Sequence, residues 1–253
     1  MYDIPFTIFF MMSTKRFIII LASLTALIYV PVINAPFHFD DLQLLLQNPH
    51  IRSFQDLFKD VGPSQRKFLT LFTFAVNYMI APENPAYYRL VNILLHWLTA
   101  VVLAEALLWL FQAPFFRREN DKKLSCLVWA SALIFCVHPL QTDSVTYIWQ
   151  RSEVLSGFFY ALILMCYWRG RVQSNWRFIV YAACFVFIGL YAKGSVMTAP
   201  ILIGLSEIYF FGFGDWLRRN KWKGAVRIAF AFAVALAAAE LFDRILFQVE
   251  LEA

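Results

Sequence analysis

Charge is what this sequence has least of. Only 15% of its 253 residues are Asp, Glu, Lys or Arg, against 60% hydrophobic ones, and mean hydropathy is +0.60. A soluble domain carries about a quarter charged residues, so the shortfall leaves no room for a large soluble domain. Cysteine is scarce as well. Cys126, Cys136, Cys166 and Cys184 each lie inside an apolar run, at spacings that fit neither a disulfide framework nor a zinc site. They read as small buried side chains. Soluble repeats, heptads and low-complexity tracts are missing. So is a cleavable signal peptide, because the first apolar stretch continues to about the length of a membrane span with no small-residue cleavage site. The net charge of +5 does not indicate nucleic acid, since the basic residues cluster in short loops beside apolar runs, where they set orientation in a membrane.

What is present is a series of long apolar runs separated by short charged ones. The reading is all-α: a polytopic transmembrane helical bundle forming one module over 1–253. Seven spans are expected at about 17–34, 87–111, 124–138, 153–168, 178–192, 196–213 and 225–247. A crossing helix needs roughly 17–25 residues, so the third to fifth runs must recruit flanking polar residues to complete the passage. An eighth run, 68–81, decides the topology. If it does not cross, the N-terminus is inside. Basic residues at 15–16, 117–123, 169–177 and 218–227 are then also inside, 14 of the 22 in the chain. If it crosses, three of those four clusters move outside, against the positive-inside rule. The run is therefore expected to lie in the outer interface or to be re-entrant. Pro82 and the "PENP" stretch mark a turn after it. Tyr29, Trp109, Tyr147, Trp149, Tyr167, Trp168, Trp216 and Trp222 fall near span ends, where an interfacial belt is expected.

With that topology, Asp40, Asp41, Arg89, His138, Asp143, Arg151, Glu153 and Lys193 all lie on the outer side. Each has a plain structural reading. The aspartates can cap a short helix. His138 before Pro139 can end one. Arg151 can pair with Glu153, and Lys193 can snorkel. As a set they read otherwise. Cations at the lipid boundary suit an anionic head group such as a lipid-linked phosphate, and carboxylates on the same side suit proton abstraction from a hydroxyl. Adjacent aspartates also leave a divalent cation open. Inside the spans, His96, Glu105, Glu207 and Glu240 are the ionisable groups that could mark a transport path.

The strings "FHFDDLQLLLQNPHI" (37–51), "FLTLFTFAVNYMI" (68–80), "YYRLVNILLHWLTAVVL" (87–103), "FCVHPLQTDSVTYIWQRSEVLSGFFY" (135–160) and "YAKGSVMTAP" (191–200) resemble the GT-C superfamily, above all its transmembrane O-mannosyltransferases of the cadherin-targeting type and their bacterial relatives. The resemblance covers about 17–205. It implies a helical membrane enzyme that moves a sugar from a polyprenyl-phosphate donor to an acceptor hydroxyl on the outer face. It implies Asp40 as catalytic base with Asp41 beside it. It also implies substrate contacts from Arg89, His138, Asp143, Arg151, Glu153 and Lys193. Arg66-Lys67 stands where relatives have Arg-Pro, Lys193-Gly194 where they have Lys-Glu, and Asp143 where they have Glu.

The expected function is thus a membrane glycosyltransferase, with mannose the first sugar to consider. Its partners would be a polyprenyl-phosphate-linked sugar, a protein or glycan acceptor and membrane lipids, with no nucleic acid. The missing targeting features and repeats point to a bacterial inner membrane with a cytoplasmic N-terminus. They also leave room for a partner subunit or a missing C-terminal part. A non-catalytic core that binds a lipid-linked sugar or scaffolds is the alternative. A small transporter using His96, Glu105 and Glu240 is the third, ranked last because paired Gly/Pro-broken spans are missing.

Overall fold

The structure is a computed structural model that describes residues 14–62, 67–116 and 121–212. Every regular element among these is helical. Helix α1 (Thr14–Tyr29) tightens through Val30–Val32 and leads into an outer segment of short helical turns, Asp41–Leu46, Pro49–Ile51, Phe54–Asp56 and Leu57–Val61. Then come α2 (Phe68–Ile80), α3 (Pro85–Leu110), α4 (Asp121–Val137), α5 (Gln141–Thr146), α6 (Arg151–Gln173) and α7 (Trp176–Leu190). A 3₁₀ turn, Gly194–Thr198, precedes α8 (Ala199–Tyr209). The run expected at 225–247, with Glu240, lies outside the described residues, as do Trp216 and Trp222.

Local chemistry explains the boundaries. Asn84 accepts the Ala86 N–H at 3.0 Å, and Pro85 supplies a φ suited to the first turn of α3. Asn175 does the same for α7 through the Arg177 N–H at 3.1 Å, just after Ser174 ends α6 in the left-handed region at φ +54°. The two helices of this hairpin approach closely at Gly189, where a β-carbon would stand 3.0 Å from Cβ of Phe159. Helix α6 runs past the apolar core 153–168 at both ends, from Arg151 to Gln173. The flanking polar residues are part of that helix.

The centre of the bundle is α3, α6 and α7, packed around Ala106, Ile163, Tyr167, Ala182 and Val186. Helices α1 and α4 close on α3 around Leu21, Ala100, Val128 and Ala132. A third cluster (Leu45, Ile51, Leu57, Phe74, Tyr88 and Ile148) seats the outer segment and α2 over one end of the bundle. The outward faces are apolar instead of charged: Leu27 is 72% exposed, Ile201 66%, Ile19 62% and Ile134 60%. Such faces are a liability in water and are matched by lipid. The described residues are all-helical, and their exposed apolar faces suit a membrane.

Two of the described helices are long and apolar enough to cross, Thr14–Val32 and Pro85–Leu110. The others are shorter, or carry charges as α6 does at Arg151, Glu153, Arg169 and Arg171. Two expectations need correction. Tyr29, Tyr167 and Trp168 are 1%, 0% and 5% exposed, so they are core residues and not a surface belt. Cys184 is exposed, unlike buried Cys136 and Cys166.

The end of the bundle formed by the C-terminus of α6 is closed by a buried ion pair. Arg171 meets both carboxylate oxygens of Glu207, with Nη2 to Oε2 at 2.9 Å, and the Tyr167 hydroxyl donates to Oε1 at 2.8 Å. Trp168 Nε1 donates to Ser206 Oγ at 3.1 Å beside it.

Candidate active site

The opposite end collects the C-termini of α1, α4 and α7, the N-termini of α3 and α6, helix α2 and the outer segment. Two arginines hold it together. Arg89, in the first turns of α3, is 3% exposed. Its Nε donates to the Thr146 carbonyl at 2.8 Å and its Nη2 to Pro36 at 2.8 Å, while Nη1 reaches the carbonyls of Ile33 and Ala35. One guanidinium thus ties the exit of α1 to the end of α5. Arg151 is wholly buried. Its Nε donates to Asn92 Oδ1 at 2.8 Å, Nη1 to Thr73 Oγ1 at 3.2 Å and Nη2 to the Tyr88 carbonyl at 2.9 Å. The guanidinium lies 4.3 Å from the centre of the Phe74 ring. Both side chains were expected to face a phosphate. Both instead donate to protein oxygens: Arg89 answers buried carbonyls of non-helical turns, and Arg151 meets two side-chain oxygens and one helix carbonyl.

The aspartate pair is divided in the same way. Asp41 is buried, and its Oδ1 accepts the Trp149 N–H at 2.8 Å while Oδ2 accepts the His38 N–H at 3.2 Å. Burial pushes its carboxyl above the usual carboxylate value, against the pull of those two N–H groups and of Arg89. Asp40 is exposed. It precedes the Asp41–Leu46 turn without capping it through its side chain. Its backbone is held, since its N–H donates to the Tyr147 hydroxyl at 3.1 Å. Phe39 stands in the left-handed region at φ +46° and is 84% exposed. The carboxylate of Asp40 therefore projects from a segment pinned on both sides.

A cavity of about 530 Å³ opens beside it. Ile28, Tyr29 and Val32 make an apolar wall from α1; His38, Asp143, Thr146 and Tyr147 make a polar one. A second group lies across the Tyr147–Trp149 turn. Lys193 is ion-paired with Glu153, in place of the Arg151–Glu153 pair expected from spacing. Lys67, in a left-handed conformation at φ +73°, lies 5.7 Å from the centre of the Trp149 ring. Burial and Lys67 push the Lys193 ammonium below the usual lysine range, and the Glu153 carboxylate favours its charge. The Phe74 and Trp149 rings stack at 5.8 Å, placing Trp149 between the Lys67 side and Arg151.

The expected residues thus fall into groups. Asp143 lines the cavity next to the Asp40 segment. Glu153 and Lys193 form the second group. Arg89, Arg151 and Asp41 are the buried frame, and Arg89 also borders the cavity. His138 stands apart: it is exposed, and its Nδ1 accepts the Leu140 N–H at 3.2 Å within its own turn. His38, Tyr147, Lys67, Thr73 and Asn92 were missed. Only Asn92, an amide inside an apolar run, carried a signal in the sequence. Among the described residues no three His, Cys, Asp or Glu side chains converge as a metal-binding group. His96 Nε2 bonds the Cys136 carbonyl at 3.0 Å and Glu105 accepts from Trp109 Nε1 at 2.9 Å, so the two are engaged separately.

Comparison with known proteins agrees with the strings that carry the resemblance. The mouse protein O-mannosyl-transferase TMTC3 is 26% identical over 206 residues, 75% of this chain. The Xenopus laevis protein O-mannosyl-transferase tmtc2 is 25% identical over 237 residues, 85% of this chain, and the Drosophila melanogaster Tmtc1 is 26% identical over 204. The chain is similar to TMTC-type protein O-mannosyl-transferases. It spans 21% of TMTC3 and 27% of tmtc2, so it matches about a fifth to a quarter of these O-mannosyl-transferases. No family model and no solved structure matches it.

Proposed function

We propose that this chain is the membrane core of a glycosyltransferase that moves a sugar, mannose by analogy with its relatives, from a polyprenyl-phosphate donor to an acceptor hydroxyl at the outer face. The observation that carries the reading is the exposed carboxylate of Asp40 on a pinned segment, beside a cavity with one apolar and one polar wall. Such a cavity suits a ligand that is part prenyl chain and part polar head.

In this reading Asp40 takes the proton of the acceptor hydroxyl, whose oxygen attacks the anomeric carbon. The bond to the lipid phosphate breaks, and its electrons leave with the phosphate oxygen. Lys193 and Lys67 are the cations assigned to that phosphate. Phosphate competes with Glu153 for Lys193. Asp143 faces the acceptor side. Arg151 and Asp41 position the site without touching substrate, while Arg89 borders the cavity with its donors held by backbone carbonyls. A divalent cation at the aspartates remains outside the proposal.

The proposed topology has seven spans, a cytoplasmic N-terminus and α2 at the outer interface, in a bacterial inner membrane. A 13-residue α2 is about 20 Å long, short of a hydrocarbon core about 30 Å thick. Its Leu69 N–H and Thr70 hydroxyl bond the carbonyls of Tyr191 and Ala192 at 3.0 and 3.1 Å, which moors it to the end of α7.

The test is turnover of polyprenyl-phosphate-mannose by purified protein, with Ser/Thr peptides as acceptors. Transfer by wild type and none by Asp40→Asn supports the reading, and equal turnover in both overturns it. Thiol labelling of Asp40→Cys only from outside and of Asn120→Cys only from inside, in a cysteine-free background, supports the topology; the reverse pattern refutes it. A lipid-linked-sugar binder without catalysis is the second reading. It is favoured by the Lys193–Glu153 pair and predicts donor binding without transfer.

A further inference from the structure

A second cavity, of about 210 Å³, lies at the other half of the bundle, between α1, α3 and α4 with Met165 of α6 at its back. Phe17, Ile18, Val101, Leu108 and Trp129 line it, and apart from Thr14 the one polar group in its wall is Glu105. Glu105 takes a single hydrogen bond, from Trp109 Nε1 one turn on, and has no cation against it among the described residues. It lies five residues before the end of α3, within an apolar helix long enough to cross a membrane. A carboxylate in such a crevice is costly unless a cation meets it, and the groups that reach this depth are lipid head groups and the chains they carry.

We infer that this crevice is a binding site for an aminophospholipid, its primary ammonium on Glu105 and part of an acyl chain against Phe17, Val101 and Leu108. The chemistry separates the common zwitterionic lipids. A primary ammonium has three N–H donors for the free carboxylate oxygen. A trimethylammonium has none, and would be held instead over the face of Trp129. Thr14 and Glu105 line the crevice, and Lys15, next to Thr14 in sequence and exposed at the start of α1, is the cation offered to the lipid phosphate. The inference does not depend on the transfer chemistry proposed above.

The test is lipid retention. Purified wild type is equilibrated with an equimolar mixture of phosphatidylethanolamine and phosphatidylcholine, and retained lipid is counted by native mass spectrometry. Wild type should keep phosphatidylethanolamine about tenfold over phosphatidylcholine, the discrimination of one charge-assisted hydrogen bond set. Glu105→Gln, whose amide oxygen still accepts from Trp109, should lose most of that preference while melting as wild type does. No preference in wild type, a preference for phosphatidylcholine, or a preference that survives in Glu105→Gln each overturns the site. A second arm needs no variant. Phosphatidylethanolamine with a photoactivatable group in its acyl chain should label Leu108 or Met165, and labelling confined to other helices overturns the placement.

Discussion

The two ends of the bundle treat charge in opposite ways. At the closed end Arg171 and Glu207 are largely buried against each other, with Tyr167 adding a third bond, so the carboxylate is answered within the fold. At the open end the cations Arg89 and Arg151 are buried on neutral oxygens, while the carboxylate of Asp40 is left facing outward with only its backbone held. Saturated charge is what a structural fastener needs. Exposed charge on an immobilised backbone is what a reacting group needs, because geometry is set in advance while the side chain stays available. The difference separates ionisable residues that sequence alone places in one class.

The comparison can be broken in four places. The largest effect is expected at Asp40: Asp40→Asn should lower sugar transfer by about 10²–10⁴-fold while leaving the melting temperature unchanged, and a drop in stability would mean that Asp40 is part of the frame after all. Next comes the closed end. Glu207→Ala removes the carboxylate that Arg171 and Tyr167 share in a part-buried pair and should cost about 1–3 kcal/mol in thermal or chemical unfolding. Transfer per folded molecule should be unchanged, and its loss would show that the closed end also serves the site.

A smaller change is expected for Tyr147→Phe, which removes the hydroxyl that accepts from the Asp40 N–H. A bond of about 1 kcal/mol translates into a roughly fivefold slower transfer, with donor affinity lowered less, although Tyr147 also borders the cavity. An equal loss in donor affinity would instead place Tyr147 on the substrate. The smallest is a slope with pH. Burial raises the Asp41 carboxyl above its usual 3.8. Its stabilisation is therefore complete below that value and declines as pH rises through the elevated one. Measured from about pH 4 to about pH 7, the melting temperature of wild type should fall relative to Asp41→Asn; a difference independent of pH would remove burial as the dominant influence on this group.

Much of this molecule was legible before folding. Apolar runs at 68–81, 124–138 and 178–192 became α2, α4 and α7 within a few residues, because helix length follows run length and the breaks carry Pro or Asn signals. Asp40, Asp143 and Lys193 were expected at one end and fall at the same end of the bundle. The pairing was not legible. Arg151 and Glu153 are two residues apart and so leave an α-helix on different faces, one inward to Asn92 and one outward to Lys193. Nothing in the string says which face is buried.

Composition and periodicity alone determined that the chain is helical and apolar enough for a membrane, and that its polar residues gather at the segment ends. Those properties depend on residues near one another along the chain. Only the tertiary structure decided which carboxylate of the Asp40–Asp41 pair is open, which acceptors the two arginines meet, and that Lys67 and Lys193 lie together across the Tyr147–Trp149 turn from the cavity. Burial and hydrogen-bond partners are set by segments more than 100 residues apart, as Asp41 and Trp149 are at 108. No local pattern carries that information, because two adjacent aspartates are chemically the same until the fold covers one of them.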